Sequence, residues 1–339
     1  MGRSLVNSAI SHGDKVCAIG REYHDSLQSM QNWYSNKSVT YQALLCDIRI
    51  RDSVDTVFDK ALSKFGDVDI IAICHGYGVI GPAEDQDEYE IRNQFETNFM
   101  GTLNIIQTSL PHFRTNESGR YLIFSSTSGA LGVPGLGPYC ATKYAIEGLV
   151  ESLLYEVDQF NIKLTLVIAG HMRRDDPSLQ HFPSSPGLPR PTSSSSSSSN
   201  PLYGHFRILP SSHPYNTPDS PSKHALRMLH WIGNNQPTSA LKAAELTWQL
   251  GHCSYPPLRL LLGTFAVESI RDRLKSIIEE IEDWKELHFP PIEGMELAEG
   301  AEEGRDGDEE DGEDIAAVSF SASSQTGKNQ DEQPMTRLY

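Results

Sequence analysis

The sequence predicts an α/β fold in which a doubly wound, mostly parallel sheet is covered by helices on both faces. Short apolar runs alternate along the chain with segments whose apolar residues recur at helical spacing. The helical segments are long enough to serve as crossovers between parallel strands. A polar residue, Ser126, directly follows one apolar run, at the strand end where doubly wound folds bind their ligands. These observations favour one sheet domain with its ligand site along one edge of the sheet.

The first half of the chain supplies three strands and two helices in this prediction. Three apolar runs have the length of buried strands: 15–19, 43–46 and 68–73. Two segments have the longer pattern of helices: 52–64 and 89–110. In the first of these helices, Val54, Val57 and Leu62 fall on one face, which would pack against the sheet.

The second half continues this alternation and then interrupts it. Strands at 120–124 and 163–168 flank a helix at 138–157. Residues 174–221 are rich in Pro and Ser and include seven consecutive serines, so we expect a disordered insert there. Beyond the insert, the pattern predicts helices at 222–231, 237–250 and 265–287 and a strand at 258–262. A pair of prolines follows the last helix, which gives one domain over residues 1–292.

The acidity of the chain is concentrated near its C-terminus. Of the formal net charge of −17, the segment 293–314 carries −11, from twelve acids and one arginine. Residues 293–339 have too little apolar content to offset the entropy of ordering, which predicts a disordered tail. An acidic docking arm for a basic partner is the alternative interpretation. Because the acidity lies in this segment and no basic, aromatic-interleaved patch is present, nucleic-acid binding is not expected.

The cysteine pattern and the hydropathy indicate a cytoplasmic protein. The five cysteines are scattered, odd in number and never spaced as Cys-x-x-Cys, which argues against a disulfide framework and a zinc site. No apolar stretch approaches the roughly 18 residues of a membrane span. The N-terminus lacks the pattern of a signal peptide, and Val6 stands where myristoylation requires Ser or Thr. We therefore expect neither a membrane span nor a bound metal.

Tyr139, Lys143 and Ser126 form a group suited to proton transfer at a carbonyl oxygen. Tyr139 and Lys143 are four residues apart and share one helix face. A tyrosine hydroxyl titrates at about pH 10, and we expect the lysine ammonium to favour the phenolate electrostatically. Ser126 would donate a hydrogen bond to a substrate oxygen as charge develops there. A surface tyrosine and lysine on an amphipathic helix would have the same spacing, so the surrounding motifs decide between the two interpretations.

These residues stand in motifs that resemble those of the short-chain dehydrogenase/reductase family. The matching motifs are Thr97-Asn-Phe-Met-Gly101, Ser126-Thr-Ser-Gly129 and Tyr139-Cys-Ala-Thr-Lys143. The likeness covers residues 2–287 apart from the insert and implies a Rossmann-like domain. It implies that Tyr139 is the acid/base and that Ser126 positions the substrate oxygen. Asn98 would support the proton relay, and Lys143 would also hold the nicotinamide ribose.

The resemblance implies a nicotinamide cofactor, and the residues after the first predicted strand favour NADP(H) over NAD(H). Gly20 stands where an acidic residue would hold the ribose hydroxyls of NAD(H), and Arg21 can pair with a 2′-phosphate. A solvent-facing arginine is the alternative for Arg21. Asp47 matches an aspartate that contacts the adenine, and helix capping is a second, compatible role. The remaining cofactor-binding positions implied by the resemblance are Gly2, Gly76, Asn98, Tyr139, Lys143 and Gly170.

The sequence departs from the family pattern most strongly at its beginning. Met1-Gly2 corresponds to the end of the family's Gly-rich turn, so the first strand and most of that turn are lacking. The strand would lie between those at 15–19 and 68–73, and its loss would leave backbone groups unpaired at about 1–3 kcal/mol each. We therefore expect a truncated gene model or isoform that folds poorly or binds NADP(H) weakly.

Two loops depart from the pattern as well, and they leave two functional hypotheses. Ile73-Cys-His-Gly76 replaces Asn-Asn-Ala-Gly, and Ala169-Gly170 replaces Pro-Gly. The leading hypothesis is an NADP(H)-dependent oxidoreductase that interconverts an alcohol and a ketone or aldehyde, with a hydrophobic small-molecule substrate. The alternative is a non-catalytic or truncated protein of the same fold. The resemblance also implies a homodimer or homotetramer formed through the helices at 89–110 and 138–157.

Overall fold

The computed structural model describes residues 1–22, 25–34, 39–173, 202–203, 205–232 and 238–287. The chain divides into two units, Met1–Lys285 and Glu286–Tyr339, and every element described below belongs to the first. The predicted tail, the predicted domain end at 292 and most of the predicted insert lie outside the described residues. None of the described helices combines the length and the apolar character needed to cross a bilayer.

Helices and strands alternate along the first unit. The helices are α1 (Gly2–Ser11), α2 (Leu27–Asn32), α3 (Arg51–Phe65), α4 (Glu88–Phe95), α5 (Gly101–Thr115), α6 (Gly137–Val157), α7 (His224–Ile232), α8 (Ala240–Gly251) and α9 (Thr264–Trp284). The strands are β1 (Val16–Arg21), β2 (Tyr41–Cys46), β3 (Ile70–Ile73), β4 (Gly78–Ile80), β5 (Gly119–Ser126), β6 (Ile162–Ala169), β7 (Met172–Arg173), β8 (Leu202–Tyr203), β9 (Phe206–Ile208), β10 (Thr238–Ser239) and β11 (Arg259–Leu262). Helix α2 and the short strands β4 and β7 to β10 have no counterpart in the sequence prediction.

Strand pairing is mostly parallel, as the predicted fold class requires. β11, β6, β5 and β3 form a four-stranded parallel sheet in that order, and β1 and β2 form a separate parallel pair. The short strands make two further sheets, one of β10 with β7 and one of β4 with β9 and β8. In the latter, β4 and β9 run parallel, whereas β8 and β9 run antiparallel.

A cleft separates β1 from β3. Within the described ranges no strand pairs with the second edge of either, and residues of both strands line the same cleft. Ile19 of β1 is accordingly 45% exposed, and Ala72 of β3 is also exposed. This gap lies at the position that the resemblance gives to the family's first strand.

Strand β5 shows how the two faces of the sheet are covered. Successive side chains of a strand point to opposite faces. Tyr121 and Ile123 belong to a buried cluster with residues of α5 and α6, whereas Leu122 and Phe124 belong to a cluster with residues of α8. Fully burying one such side chain contributes about 1.5–3 kcal/mol. The alternation therefore fixes helices on both faces and leaves the carboxyl end of β5, at Ser126, for the site.

The predicted helix at 89–110 is divided in the structure. A π-helical turn, Glu96–Met100, joins α4 to α5, and Asn98 lies within it. Such turns are frequent at functional sites. Helix α5 runs on through Pro111, because Phe113 in its last turn is fully buried against the sheet.

The end of the predicted disordered insert is a correction to the sequence analysis. Residues 174–221 were expected to lack regular elements, yet β8 and β9 form within them. The backbone N–H of Gly78 donates to the carbonyl oxygen of His205 over 3.0 Å, beside the β4–β9 pair. Phe206 and Ile208 pack against a buried cluster that includes Tyr139. The apolar residues of β9 therefore let this strand form and pack beside Tyr139, although the surrounding segment is rich in Pro and Ser.

Candidate active site

Ser126, Tyr139 and Lys143 line one cleft in the structure, as their motifs predict. Ser126 is the last residue of β5, while the other two lie one helical turn apart near the start of α6. Pro138 stands in the first turn of α6, where its fixed φ suits a helix start and its missing N–H costs nothing. This turn places Tyr139 and Lys143 against the end of the sheet.

The hydroxyl of Tyr139 is enclosed on several sides. The residue is 3% exposed, and the Phe206 ring meets its ring edge-on with the centroids 5.0 Å apart. Its hydroxyl oxygen lies 3.3 Å from Nε2 of His205. Burial raises the pKa of Tyr139 above its ordinary value, the neighbouring Cys140 adds to this, and a hydrogen bond with Ser126 opposes it. The hydroxyl is therefore neutral at physiological pH.

Lys143 is buried and bonded to the sheet rather than to the phenol. Its Nζ donates to the carbonyl oxygen of Phe124 over 3.0 Å and lies 5.8 Å from the centroid of the Tyr139 ring. Burial lowers the pKa of Lys143 to about 8, against the opposing charge of Glu147. The expected stabilisation of the Tyr139 phenolate by this ammonium stays a prediction. The largest influence on the pKa of Tyr139 is burial, which raises it and which spacing along a helix does not reveal.

Asn98 ties the site together through its side-chain amide. Its Nδ2 donates to the carbonyl oxygen of Tyr77 over 2.7 Å and to Oγ1 of Thr142 over 2.9 Å. Its Oδ1 accepts the backbone N–H of Tyr77 over 2.8 Å. Both amide hydrogens are thus used in joining the loop after β3 to helix α6. This bonding makes Asn98 a positioning residue for Tyr139, and its expected part in a water relay to Lys143 stays a prediction.

Seven of the eight predicted cofactor positions line the same cleft, whose volume is about 2540 Å³, whereas Asn98 is fully buried and is not part of its wall. This exceeds the roughly 300–1,000 Å³ of ordinary small-molecule sites because the gap between β1 and β3 belongs to it. The predicted positions among its lining residues are Gly2, Arg21, Asp47, Gly76, Tyr139, Lys143 and Gly170. A Cβ at position 170 would lie 3.0 Å from Cδ1 of Phe265, which is closer than an ordinary contact. Glycine therefore lets the backbone after β6 approach the Phe265 ring.

Arg21 and Asp47, the charged groups predicted to bind the cofactor, already have intramolecular partners. The Arg21 guanidinium donates to both carboxylate oxygens of Asp25, at 3.2 and 3.3 Å. Arg49 donates to Asp47 through Nε over 2.9 Å and Nη2 over 2.6 Å, and this pairing lowers the pKa of Asp47. Arg21 is 63% exposed in its side chain and can exchange partners, whereas Asp47 is 8% exposed. The sequence did not reveal either pairing.

Cys74 and His75, beside the cofactor positions, are packed side chains. Burial raises the pKa of the Cys74 thiol to about 12, so it is not a thiolate nucleophile at neutral pH. Burial and the charge of Lys143 lower the pKa of His75 to about 4, and its Nε2 lies 3.3 Å from Oγ1 of Thr102. Across the described part of the chain, no group of three or more metal-ligating side chains is found.

His205, Phe206 and Gly78 are the residues of the site that sequence reasoning missed. A Cβ at Gly78 would lie 2.5 Å from Phe206 Cε1 and 2.8 Å from Tyr139 Cδ2, so glycine makes room for both rings. The apolar residues of β9 within the Pro- and Ser-rich segment were a usable signal for this strand. A lone histidine before them carries no such signal.

Comparisons of the sequence and of the structure with known proteins point to the same family. The sequence profile of the family described as short chain dehydrogenase matches residues 1–176. Oxidoreductase BOA17 of Botryotinia fuckeliana is 27% identical over 288 residues, covering 85% of this chain and 93% of that protein. An uncharacterized oxidoreductase of Schizosaccharomyces pombe is 30% identical over 289 residues, covering 83% and 85% respectively. A short-chain dehydrogenase from Streptomyces avermitilis has a similar solved structure, with a TM-score of 0.67, 25% identity and coverage of 84% and 93%.

Proposed function

Since the chain belongs to the short-chain dehydrogenase family, we propose that it interconverts an alcohol and a ketone or aldehyde with NADP(H) as the cofactor. Membership makes it an oxidoreductase by class. The proposed reaction and cofactor rest on one observation: Ser126, Tyr139 and Lys143 all line one cleft. These groups supply a proton and hydrogen bonds at a single carbonyl oxygen, while the cleft leaves room for a cofactor beside them.

Tyr139 acts as the general acid when a carbonyl group is reduced. Its raised pKa keeps the proton on the hydroxyl until charge develops on the substrate oxygen. Ser126 donates a hydrogen bond to the same oxygen, and a correctly placed donor of this kind is worth about 10²–10³ in rate. In the oxidation direction Tyr139 first gives up its proton, and the resulting phenolate accepts the proton of the alcohol.

The cleft residues fit a phosphorylated nicotinamide cofactor, which would supply or accept the hydride when bound. Lys143 offers a buried ammonium at the inner end, next to Tyr139, for the hydroxyls of a ribose. Arg21 offers an exposed guanidinium, which would exchange Asp25 for a 2′-phosphate. Gly2, Gly76 and Gly170 add no side chain where they line the cleft, and Asp47 would contact the adenine, as the resemblance implies.

The substrate side of the cleft favours an apolar molecule. Leu136, Cys140 and Leu229 are buried in one cluster with Tyr139, and Phe206 packs against it. A ketone or aldehyde with a hydrophobic body would bury its apolar surface there, at about 25 cal/mol per Å². Its carbonyl oxygen would then meet Ser126 and Tyr139.

The association state and location belong to the proposal as well. Tyr144 and Tyr155 are eleven residues apart on α6, hence on nearly the same side, and they are 44% and 84% exposed. A homodimer or homotetramer formed through α6 and the helices at 88–115 would cover them. Light scattering at several concentrations measures this directly, and a monomer at every concentration contradicts it. A cytoplasmic location follows from the cysteine pattern.

A non-catalytic role is the second candidate. Two features favour it: within the described residues β1 and β3 each have one unpaired edge, and Arg21 and Asp47 are paired within the chain, so a cofactor would have to compete with Asp25 and Arg49. The intact group at Tyr139 favours the enzyme, since a purely structural role has no evident need for a proton donor beside Ser126 and Lys143.

Cofactor titration and reductase assays separate the two candidates. NADPH and NADH are titrated by fluorescence, and NADPH oxidation is followed with a panel of apolar ketones and aldehydes. The enzyme proposal expects tighter binding of NADPH and turnover that falls about 10²–10³-fold in Ser126→Ala with cofactor affinity unchanged. Ser152→Ala is the matched control, because Ser152 is exposed on α6 and bonds only Glu156 among the described contacts. Binding of neither nucleotide would contradict the enzyme proposal.

A further inference from the structure

The hydroxyl of Tyr139 is in contact with an exposed histidine. Nε2 of His205 lies 3.3 Å from the hydroxyl oxygen, and the two rings are tilted by 40° with centroids 5.8 Å apart. Tyr139 is 3% exposed, whereas His205 is exposed. The imidazole therefore connects a buried reacting atom with bulk water.

His205 is held in this position by the strand that follows it. Its carbonyl oxygen accepts the N–H of Gly78 over 3.0 Å, and its ring lies against the Phe206 ring with centroids 4.1 Å apart and a tilt of 35°. Arg207 forms an ion pair with the buried carboxylate of Glu90. These contacts hold the backbone from His205 to Arg207 against β4 and α4, so the fold sets the position of the imidazole.

A second anchor lies further along the same segment. Ser212 donates to the carboxylate of Asp85 through its backbone N–H over 2.8 Å and through its hydroxyl. Tyr215 donates to Glu84 over 2.7 Å. The segment that carries His205 is thus attached to the loop after β4 as well as to β4 itself.

The proposed chemistry needs a proton source at this place. Each carbonyl reduction removes the proton of Tyr139 and leaves a phenolate in a buried setting, where charge is costly. The phenolic oxygen can accept a hydrogen bond from His205 while its own hydrogen points to the substrate. Among the described residues, Cys140 and Lys143 are the titratable neighbours of Tyr139 on its own helix, His75 lies near Lys143, and Arg207 pairs with Glu90 beside β9.

None of those neighbours is as well placed to bring in a proton. Lys143 donates to Phe124 on the inner side, and His75 is half-buried with Nε2 beside Thr102. Arg207 is paired with Glu90, and an arginine does not titrate in proteins. His205 combines contact with the hydroxyl, exposure to water and a side-chain type that titrates near neutral pH.

We propose that His205 is a proton-relay residue that returns a proton from solvent to Tyr139 after each reduction, an inference that rests on the proposed function. The hydride passes from the cofactor to the carbonyl carbon, and the Tyr139 O–H proton passes to the carbonyl oxygen. His205 acts as the imidazolium: its Nε2–H bond then breaks, the Tyr139 O–H bond re-forms, and a neutral imidazole with its hydrogen on Nδ1 remains. The imidazole then takes up one proton from solvent, so each reduction consumes one solvent proton. In the oxidation direction each transfer runs in reverse.

Steady-state kinetics of His205→Ala and His205→Gln test this relay. We expect kcat for carbonyl reduction to fall about 10²-fold or more, with KM and NADPH affinity changed less than about twofold. Wild-type kcat falls as pH rises through the range where histidines titrate, about pH 5–8, and both variants lose this dependence. Added imidazole restores part of the kcat of His205→Ala. His213→Gln, an exposed histidine in the same segment, keeps wild-type values.

Two outcomes overturn the relay. Unchanged or increased kcat in His205→Ala would mean that the imidazole only covers the substrate pocket. A fall in kcat without any change in pH dependence or imidazole rescue would mean a structural role. If the wild type itself shows no turnover, the proposed function fails, and NMR then tests the contact alone. The ¹⁵N signal of His205 Nε2 is expected to shift in Tyr139→Phe, and an unchanged signal would remove the basis of the relay.

Discussion

Replacing Gly78 with alanine tests the contact between β9 and Tyr139. The added Cβ would lie 2.5 and 2.6 Å from two carbons of the Phe206 ring and 2.8 Å from Cδ2 of Tyr139. Carbon atoms in contact stand about 3.5–4.0 Å apart, so each ring has to move by about 1 Å. Because Gly78 lies in strand β4, paired with β9, the strand cannot simply bend away.

The expected change in the free energy of unfolding is the difference between two opposing effects. Overpacking of this kind costs about 1–3 kcal/mol, whereas replacing glycine inside a strand gains about 0.5–1 kcal/mol of backbone entropy. We expect Gly78→Ala to lower the free energy of unfolding by about 0.5–2 kcal/mol. A displacement of about 1 Å at a catalytic group can reduce the rate about 10²-fold, so kcat/KM for carbonyl reduction should fall by one to two orders of magnitude.

Urea unfolding and NADPH-dependent reduction measure the two effects, with Gly148→Ala as the control. Gly148 is exposed within α6, and a Cβ there meets nothing within 4 Å. The control should gain about 0.5–1 kcal/mol and keep its activity. If Gly78→Ala is stabilised like the control and remains fully active, then β9 does not lie against Tyr139 and the reasoning is refuted.

Three further predictions address the cofactor groups and the strand anchor. The pKa of Lys143 is about 8, so Lys143 loses its charge as pH rises through that value and the affinity for NADPH, measured by fluorescence, should fall above it. An NADPH affinity that stays unchanged up to pH 9.5 would contradict this. Arg21→Ala should weaken the binding of NADPH at least about tenfold more than the binding of NADH. Asp25→Asn removes the charge that pairs with Arg21 and should tighten NADPH binding. Equal effects on the two nucleotides would mean that the guanidinium does not contact the 2′-phosphate. Arg207→Met should lower the unfolding free energy by about 2 kcal/mol, because it leaves buried Glu90 without its cation, and an unchanged urea midpoint would show that the pair does not anchor β9.

The sequence predicted those parts of the structure that depend on local apolar patterns. Strands β1, β2, β3, β5, β6 and β11 and the helix carrying Tyr139 are found close to their predicted positions, because each contains a local apolar pattern of the matching period. The placement of Ser126 beside Tyr139 also follows, since it needs only the end of one strand and the start of the next helix.

The remaining features depend on contacts between distant parts of the chain. Gly78 and His205 are 127 residues apart, and nothing local to either indicates that β4 and β9 pair. The pKa of Tyr139 is set by how completely its hydroxyl is buried, which the Tyr-x-x-x-Lys spacing does not reveal. The bonding of Arg21 to Asp25 likewise depends on side-chain geometry, so the sequence left both interpretations of that arginine open.

Transfer of deuterium from NADPH labelled at C4 to an apolar ketone or aldehyde tests the central claim most directly. Wild-type protein should yield an alcohol with deuterium on its carbinol carbon. Tyr139→Phe, which loses only the hydroxyl, should bind NADPH with wild-type affinity and transfer almost no label. Label transfer at equal rates in both proteins, or none in the wild type across the panel, would contradict the account.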